Sequence, residues 1–153
     1  MQQTTFADAR KDAEDSFASG LYCAESVLLA IARAQGIESE FIPGIATAFC
    51  SGMSRSCSTC GALTGGIMAI GLVFGRSTPN ESVEPAYEAG RQLIQEFEKE
   101  FGDCNCDALL GGCDLSTPEG QAMFVEKRLM ESCQKITGKA AEITARIILE
   151  NNS

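Results

Sequence analysis

From Ser56 to Phe74 the chain carries no charged residue. Within that stretch, Cys57-Ser58-Thr59-Cys60-Gly61-Ala62-Leu63-Thr64-Gly65-Gly66 runs two thiols straight into glycine and alanine. A helix on a protein surface shows a polar face. This one has none, so the rest of the chain must enclose it on most sides. Ala62, Gly65, Gly66 and Ala69 let neighbouring backbones come close. Each interior glycine costs about 1 kcal/mol of helix stability, so several together answer a spatial requirement. Small residues four apart also pack membrane helices. The segment is short for a span and contains Ser, Thr and Cys, so a buried helix is expected and a membrane is not.

The flanking sequence reads as further helices. Thr4 to Ser19 is amphipathic, with Thr4 or Thr5 as cap, Phe6, Ala9, Ala13 and Phe17 on one stripe, and Gly20 as stop. Tyr22 to about Gln35 follows, with Val27, Leu28, Ile31 and Ala34 apolar and Cys23 in the first turn. There the helix dipole and free N–H groups favour a thiolate. Ser39 to Phe49 predicts a short third helix, and Cys50 to Ser56 a loop whose small residues suit wrapping around a site. After a turn at Arg76–Ser82, a helix over 82–101 places Val83, Tyr87, Gly90, Ile94, Phe97 and Phe101 on one face. Asp103 to Leu115 is turn-rich and holds Cys104, Cys106 and Cys113. Thr117-Pro118-Glu119 starts a last helix running to about Glu150, with a kink expected at Gly138. Its stripe is Ala122, Val125, Leu129, Cys133, Ile136, Ala140, Ile143 and Ile147, so Cys133 faces inward. No period-two strand stands out. The expected fold is all-α, one domain over 1–153, a bundle of five to six helices around a buried glycine-rich one.

The chain's 12 basic and 21 acidic residues give a net charge of −9. Nucleic acid and anionic membrane surfaces are therefore poor partners. Histidine is absent from the 153 residues, which excludes imidazole catalysis, imidazole metal ligation and a His-ligated haem. A core of this size needs no staples, so the eight cysteines serve something else. The first residues lack a basic and apolar leader, so a cytoplasmic setting is expected. Disulfides are rare there, which turns the thiols towards metal, cluster or redox chemistry.

Those thiols come from separated places: Cys23, Cys50, the Cys57/Cys60 pair, the Cys104/Cys106/Cys113 group, and Cys133. Four thiolates can hold an iron–sulfur cluster or a zinc ion. Their spread across a bundle favours a buried cofactor over a zinc knuckle, while a zinc-bound structural protein stays open. So does a thiol–disulfide oxidoreductase using Cys57/Cys60 or Cys104/Cys106, although a thioredoxin fold lacks its strand here.

Tyr22-Cys23-Ala24-Glu25-Ser26-Val27-Leu28, then Cys60-Gly61-Ala62-Leu63-Thr64-Gly65-Gly66, then Phe101-Gly102 with Cys106 and Leu109-Leu110-Gly111, then Cys133, resemble the redox-active CGAxxG family (C_GCAxxG_C_C). A related domain occurs in split-Soret cytochromes, although their haem-attachment signature has no counterpart here. The resemblance implies a small helical redox protein of anaerobic metabolism. It maps the hallmark cysteines onto Cys23, Cys60, Cys106 and Cys133. Cys50, Cys57, Cys104 and Cys113 depart from the pattern and are alternates. The implied cofactor is an iron–sulfur cluster, [2Fe-2S] or [4Fe-4S], with zinc as the alternative. Backbone N–H groups near Gly61 are expected to hydrogen-bond its sulfurs. Electron transfer with a redox partner protein fits this better than catalysis, and a homodimer is compatible with it.

Overall fold

A computed structural model describes residues 5–152. The chain winds through α1 (Phe6–Ala18), α2 (Cys23–Ala34), a 3-10 turn (Gly44–Phe49), α3 (Cys50–Arg55), α4 (Gly61–Phe74), α5 (Glu84–Phe101), α6 (Cys106–Leu109), α7 (Pro118–Glu126) and α8 (Leu129–Asn151). Among the described residues there is no strand, only an isolated antiparallel bridge between Thr59 and Asn105. The all-α expectation holds. The helix count rises beyond five or six because α3 and α6 are single turns and the last helix divides.

Each long helix starts for a local reason. Thr5 caps α1, taking the Asp8 N–H at 3.1 Å while Asp8 takes the Thr5 N–H at 2.9 Å. Thr4, the other expected cap, lies outside the described residues. Glu25 takes the Tyr22 N–H at 3.0 Å and closes the first turn of α2. Thr117 accepts from Gly120 N at 2.9 Å at the start of α7, with Pro118 at its first position.

The glycine-rich α4 sits at the centre, as expected. Gly61, Ala62, Leu63, Gly65, Gly66, Ala69 and Ile70 are buried, and only Gly71 and Leu72 near its outer end are exposed. Helix α2 lies against it so closely that a Cβ on Gly65 would stand 2.6 Å from the Ala24 carbonyl oxygen. A Cβ on Gly66 would stand 2.8 Å from Leu93 of α5 and 2.7 Å from the Thr144 hydroxyl of α8. Glycine is therefore demanded by backbone and side-chain approach at both positions. Leu28, Ile31, Ile70, Leu93, Phe97, Ile147 and Ile148 fill the core between these helices. Arg10–Glu142 at 3.0 Å, Arg33–Asp12 at 2.9 Å and Arg146–Glu96 at 2.9 Å stitch α1 to α8, α2 to α1 and α8 to α5.

Several expectations need correction. The helix over 39–49 shrinks to a 3-10 turn, because Pro43 cannot donate and Gly44 adds little helix preference. The buried face of α5 is Ala89, Leu93 and Phe97, while Tyr87 and Ile94 are exposed. The small Ala89 lets α5 lie against α4, and the inward stripe is displaced by one or two positions. The final helix does not kink at Gly138, which is buried inside α8 against Glu14 of α1. It breaks at Arg128, whose φ of 53° is left-handed, and α7 swings away from the axis of α8. Val125, read as core, is consequently exposed.

Candidate sulfur-lined site

At one end of the bundle lies a cavity of about 260 Å³. A single water needs only about 10–15 Å³ by the same kind of measure, so this space admits a polyatomic group. Its wall includes Cys23, Cys60, Cys106 and Cys133, together with Gly61. The remaining thiols, Cys50, Cys57, Cys104 and Cys113, do not line it. All eight cysteines are unpaired by disulfide.

The four lining sulfurs arrive from four elements. Cys23 is the first residue of α2, and Cys60 is the cap of α4, with its carbonyl taking the Thr64 N–H at 3.1 Å. Cys106 opens α6, and Cys133 lies in the second turn of α8. Two backbone hydrogen bonds lock the central pair together. Cys60 N–H donates to Cys104 C=O at 2.8 Å, and Cys106 N–H donates to Ser58 C=O at 2.9 Å. Asp103 shapes that turn by accepting from Cys104 N at 2.7 Å and Asn105 N at 2.8 Å.

Glycine makes room here too. A Cβ on Gly61 would collide with the Cys23 sulfur, and one on Gly52 would stand 2.5 Å from the Cys106 Cβ. Around Gly52 runs the strained part of the backbone. Ser51, Met53, Ser54, Arg55 and Cys57 all have φ between 57° and 64°, so α3 is a left-handed turn. Each such non-glycine residue costs about 1–2 kcal/mol. Strain of this kind persists only where surrounding structure over-determines it, and it gathers at functional sites. The turn sets Ser51 and Arg55 on the cavity wall, four residues apart on one face.

The sulfurs are not equivalent. The Cys23 thiol is held well below the ordinary thiol range, first by hydrogen bonding from Cys50, then against burial by the backbone N–H groups of Ser51, Ala24 and Cys23 itself. Cys50 is pushed far up by the same contact and by burial, so it keeps its proton. Besides the Cys23 sulfur it has Glu25 Oε1 and Ala46 C=O, each at 3.6 Å, as acceptors. Burial and the Cys23 sulfur push Cys60 up, opposed by the Ala62 N–H. Cys106 and Cys133 are each pushed up to about 12, mainly by burial and then by the Cys23 sulfur. With no cation bound, the cavity therefore carries one favoured thiolate and three reluctant ones.

Two of the other thiols are occupied as donors. Cys57 donates to Asp114 Oδ1 at 3.1 Å and is pushed up to about 11 by that carboxylate. Cys113, buried, donates to the Gly120 carbonyl at 3.1 Å. Cys104 is raised by burial and by Glu98 and Asp103. Among the described residues, no three Cys, Asp or Glu side chains converge closely enough to hold one metal ion. No described helix is long and apolar enough to cross a membrane.

Sequence reasoning placed the four hallmark cysteines in different elements, and the fold brings them to one cavity. It assigned the expected N–H donors near Gly61 to a bound cluster; here the Ala62 N–H works to lower the Cys60 thiol. It missed Arg55, Gln121 and the apolar wall of Leu109, Leu115, Phe124 and Met130. Arg55 had a signal, since no other basic residue occurs between Arg33 and Arg76. The wall had none, because α7 reaches the cavity only through the break at Arg128.

Residues 21–147 match a family model described as "Putative redox-active protein (C_GCAxxG_C_C)". An uncharacterised protein of Archaeoglobus fulgidus is 31% identical over 131 residues, covering 80% of this chain and 81% of its own. No solved structure matches.

Proposed function

The chain belongs to the C_GCAxxG_C_C family of redox-active proteins, and on that premise we propose that it holds an iron–sulfur cluster on Cys23, Cys60, Cys106 and Cys133 and serves in electron transfer. The observation that carries this reading is the partition of the sulfurs: four line one cavity and four do not. A zinc ion draws its thiolates to about 2.3 Å from one point, a convergence these side chains do not make as they stand. A cluster distributes its thiolates over several irons, in a space larger than a single ion needs.

When bound, such a cluster supplies one-electron exchange at a potential set by its surroundings. The chain's own groups would set those surroundings. The backbone N–H groups of Ser51 and Ala24 lower the Cys23 thiol, and the Ala62 N–H works to lower Cys60. Hydrogen bonds of this kind stabilise negative charge on sulfur. Leu109, Leu110 and Ile136 keep water from the wall.

A dithiol exchange reading fits less well. Cys57 is engaged with Asp114 and Cys60 faces the cavity, and both thiols are shifted up, away from nucleophilic thiolate. The test is anaerobic reconstitution with iron and sulfide, followed by visible absorption and analysis of iron and acid-labile sulfide. Broad brown absorption with both elements bound supports the proposal. A colourless protein that takes up zinc but neither iron nor sulfide would overturn it.

A further inference from the structure

The cavity is not lined by sulfur alone. Beyond the four thiols its wall is apolar, with Leu115, Phe124, Val125 and Met130 contributed by α7 and the segments beside it. Arg55 is the only charged residue in that wall. Among the described residues no carboxylate or carbonyl pairs with its guanidinium. Arg55 lines the cavity while staying exposed to solvent, so its guanidinium is free to meet a ligand there. It is also held there by backbone in an unfavourable conformation, with Arg55 itself at φ 64°. Gln121 adds an amide to the same wall.

From this arrangement we infer that the cavity binds a small organic monocarboxylate with an apolar body, its carboxylate on Arg55 and its body against Phe124, Val125 and Met130. Arginine presents a planar fork that meets a carboxylate bidentately. An apolar chamber with a few convergent polar groups is the usual form of a small-molecule site. One arginine and one amide suit a monoanion better than a multiply charged phosphate. The inference rests on the proposed sulfur centre for its meaning, since the ligand would lie against the Cys23, Cys60, Cys106 and Cys133 wall. The rival role for Arg55 is to balance negative charge on those sulfurs, with no ligand involved.

Calorimetric titration separates the two roles. The probes are hexanoate, hexanamide and inorganic phosphate, each titrated into the iron-loaded and the reduced metal-free protein. Hexanoate is expected to bind at least about tenfold more tightly than hexanamide, the difference a charge-assisted hydrogen bond provides. Arg55→Gln should bring hexanoate down to the amide's affinity and leave the amide unchanged. Phe124→Ala should weaken both. Arg55 is exposed, so its replacement does not threaten folding, which circular dichroism checks. Equal binding of acid and amide, displacement of hexanoate by phosphate, or no binding of hexanoate to either form would overturn the inference. A protein that binds hexanoate but never takes iron and sulfide sinks the cluster reading alone. A protein that takes iron and sulfide but binds hexanoate in neither form sinks this one alone.

Discussion

The two ends of this bundle solve opposite problems with the same residue types. At the packed end, Gly66 brings α4 onto Leu93 and Thr144, and Phe97, Ile147 and Ile148 fill what remains. The backbone there is regular α-helix and its hydrogen bonds stay within helices. At the cavity end, Gly52 and Gly61 make room for sulfur, and the chain around Gly52 turns left-handed through Ser51, Met53, Ser54 and Arg55. Backbone N–H groups there favour the charged form of thiols. One end gains stability from packing; the other spends conformational energy to shape a site. A domain's net stability is only about 5–15 kcal/mol, so the strained end depends on the packed one.

The largest effect should come from opening the packed end. Phe97→Ala removes the largest fully buried side chain and is expected to cost about 3–5 kcal/mol in chemical denaturation. A cost below about 1 kcal/mol would show that the core is not where the stability lies.

Alkaline pH should act on the cavity end. In the metal-free protein Cys106 and Cys133 have folded values near 12, above the ordinary thiol value of 9.0. Their burial as thiols stabilises the fold fully below about pH 9, and that contribution is lost as pH climbs towards 12. The denaturation midpoint should therefore fall across that window. It should fall less steeply in the Cys106→Ala/Cys133→Ala variant. An unchanged slope would contradict the assignment.

Smaller effects probe the strain and the Cys23–Cys50 contact. Met53 lies at φ 59° with its side chain exposed, so Met53→Gly should stabilise the metal-free protein by about 1 kcal/mol. Destabilisation would mean that the left-handed turn is not under strain. Cys50→Ala removes the donor that lowers Cys23. Alkylation of Cys23 in the metal-free protein, followed by peptide mass spectrometry, should then need a higher pH than in the wild type. An unshifted pH profile would assign the lowering to the backbone N–H groups alone.

The sequence carried more of the site than of the fold's details. The charge-free run from Ser56 to Phe74 announced a buried α4, and Cys23 and Cys60 at helix starts announced reachable sulfurs. Both signals are local and survive any tertiary arrangement. The break at Arg128 was not legible, because apolar residues continue across it in helical register. The left-handed turn was hidden for a similar reason: of its residues only Gly52 favours positive φ, and the others are forced there by their surroundings. Cys57 looked like half of a reactive pair, but its thiol donates a hydrogen bond to Asp114, distant in sequence.

The account turns on the claim that four particular sulfurs act as one set. The most direct measurement replaces each of the eight cysteines by alanine in turn, reconstitutes each protein anaerobically, and counts iron and acid-labile sulfide per chain. Loss of Cys23, Cys60, Cys106 or Cys133 should abolish or sharply reduce retention of both elements. Loss of Cys50, Cys57, Cys104 or Cys113 should leave them bound. Retention after removal of one of the first four, with loss after removal of one of the second, would contradict the account.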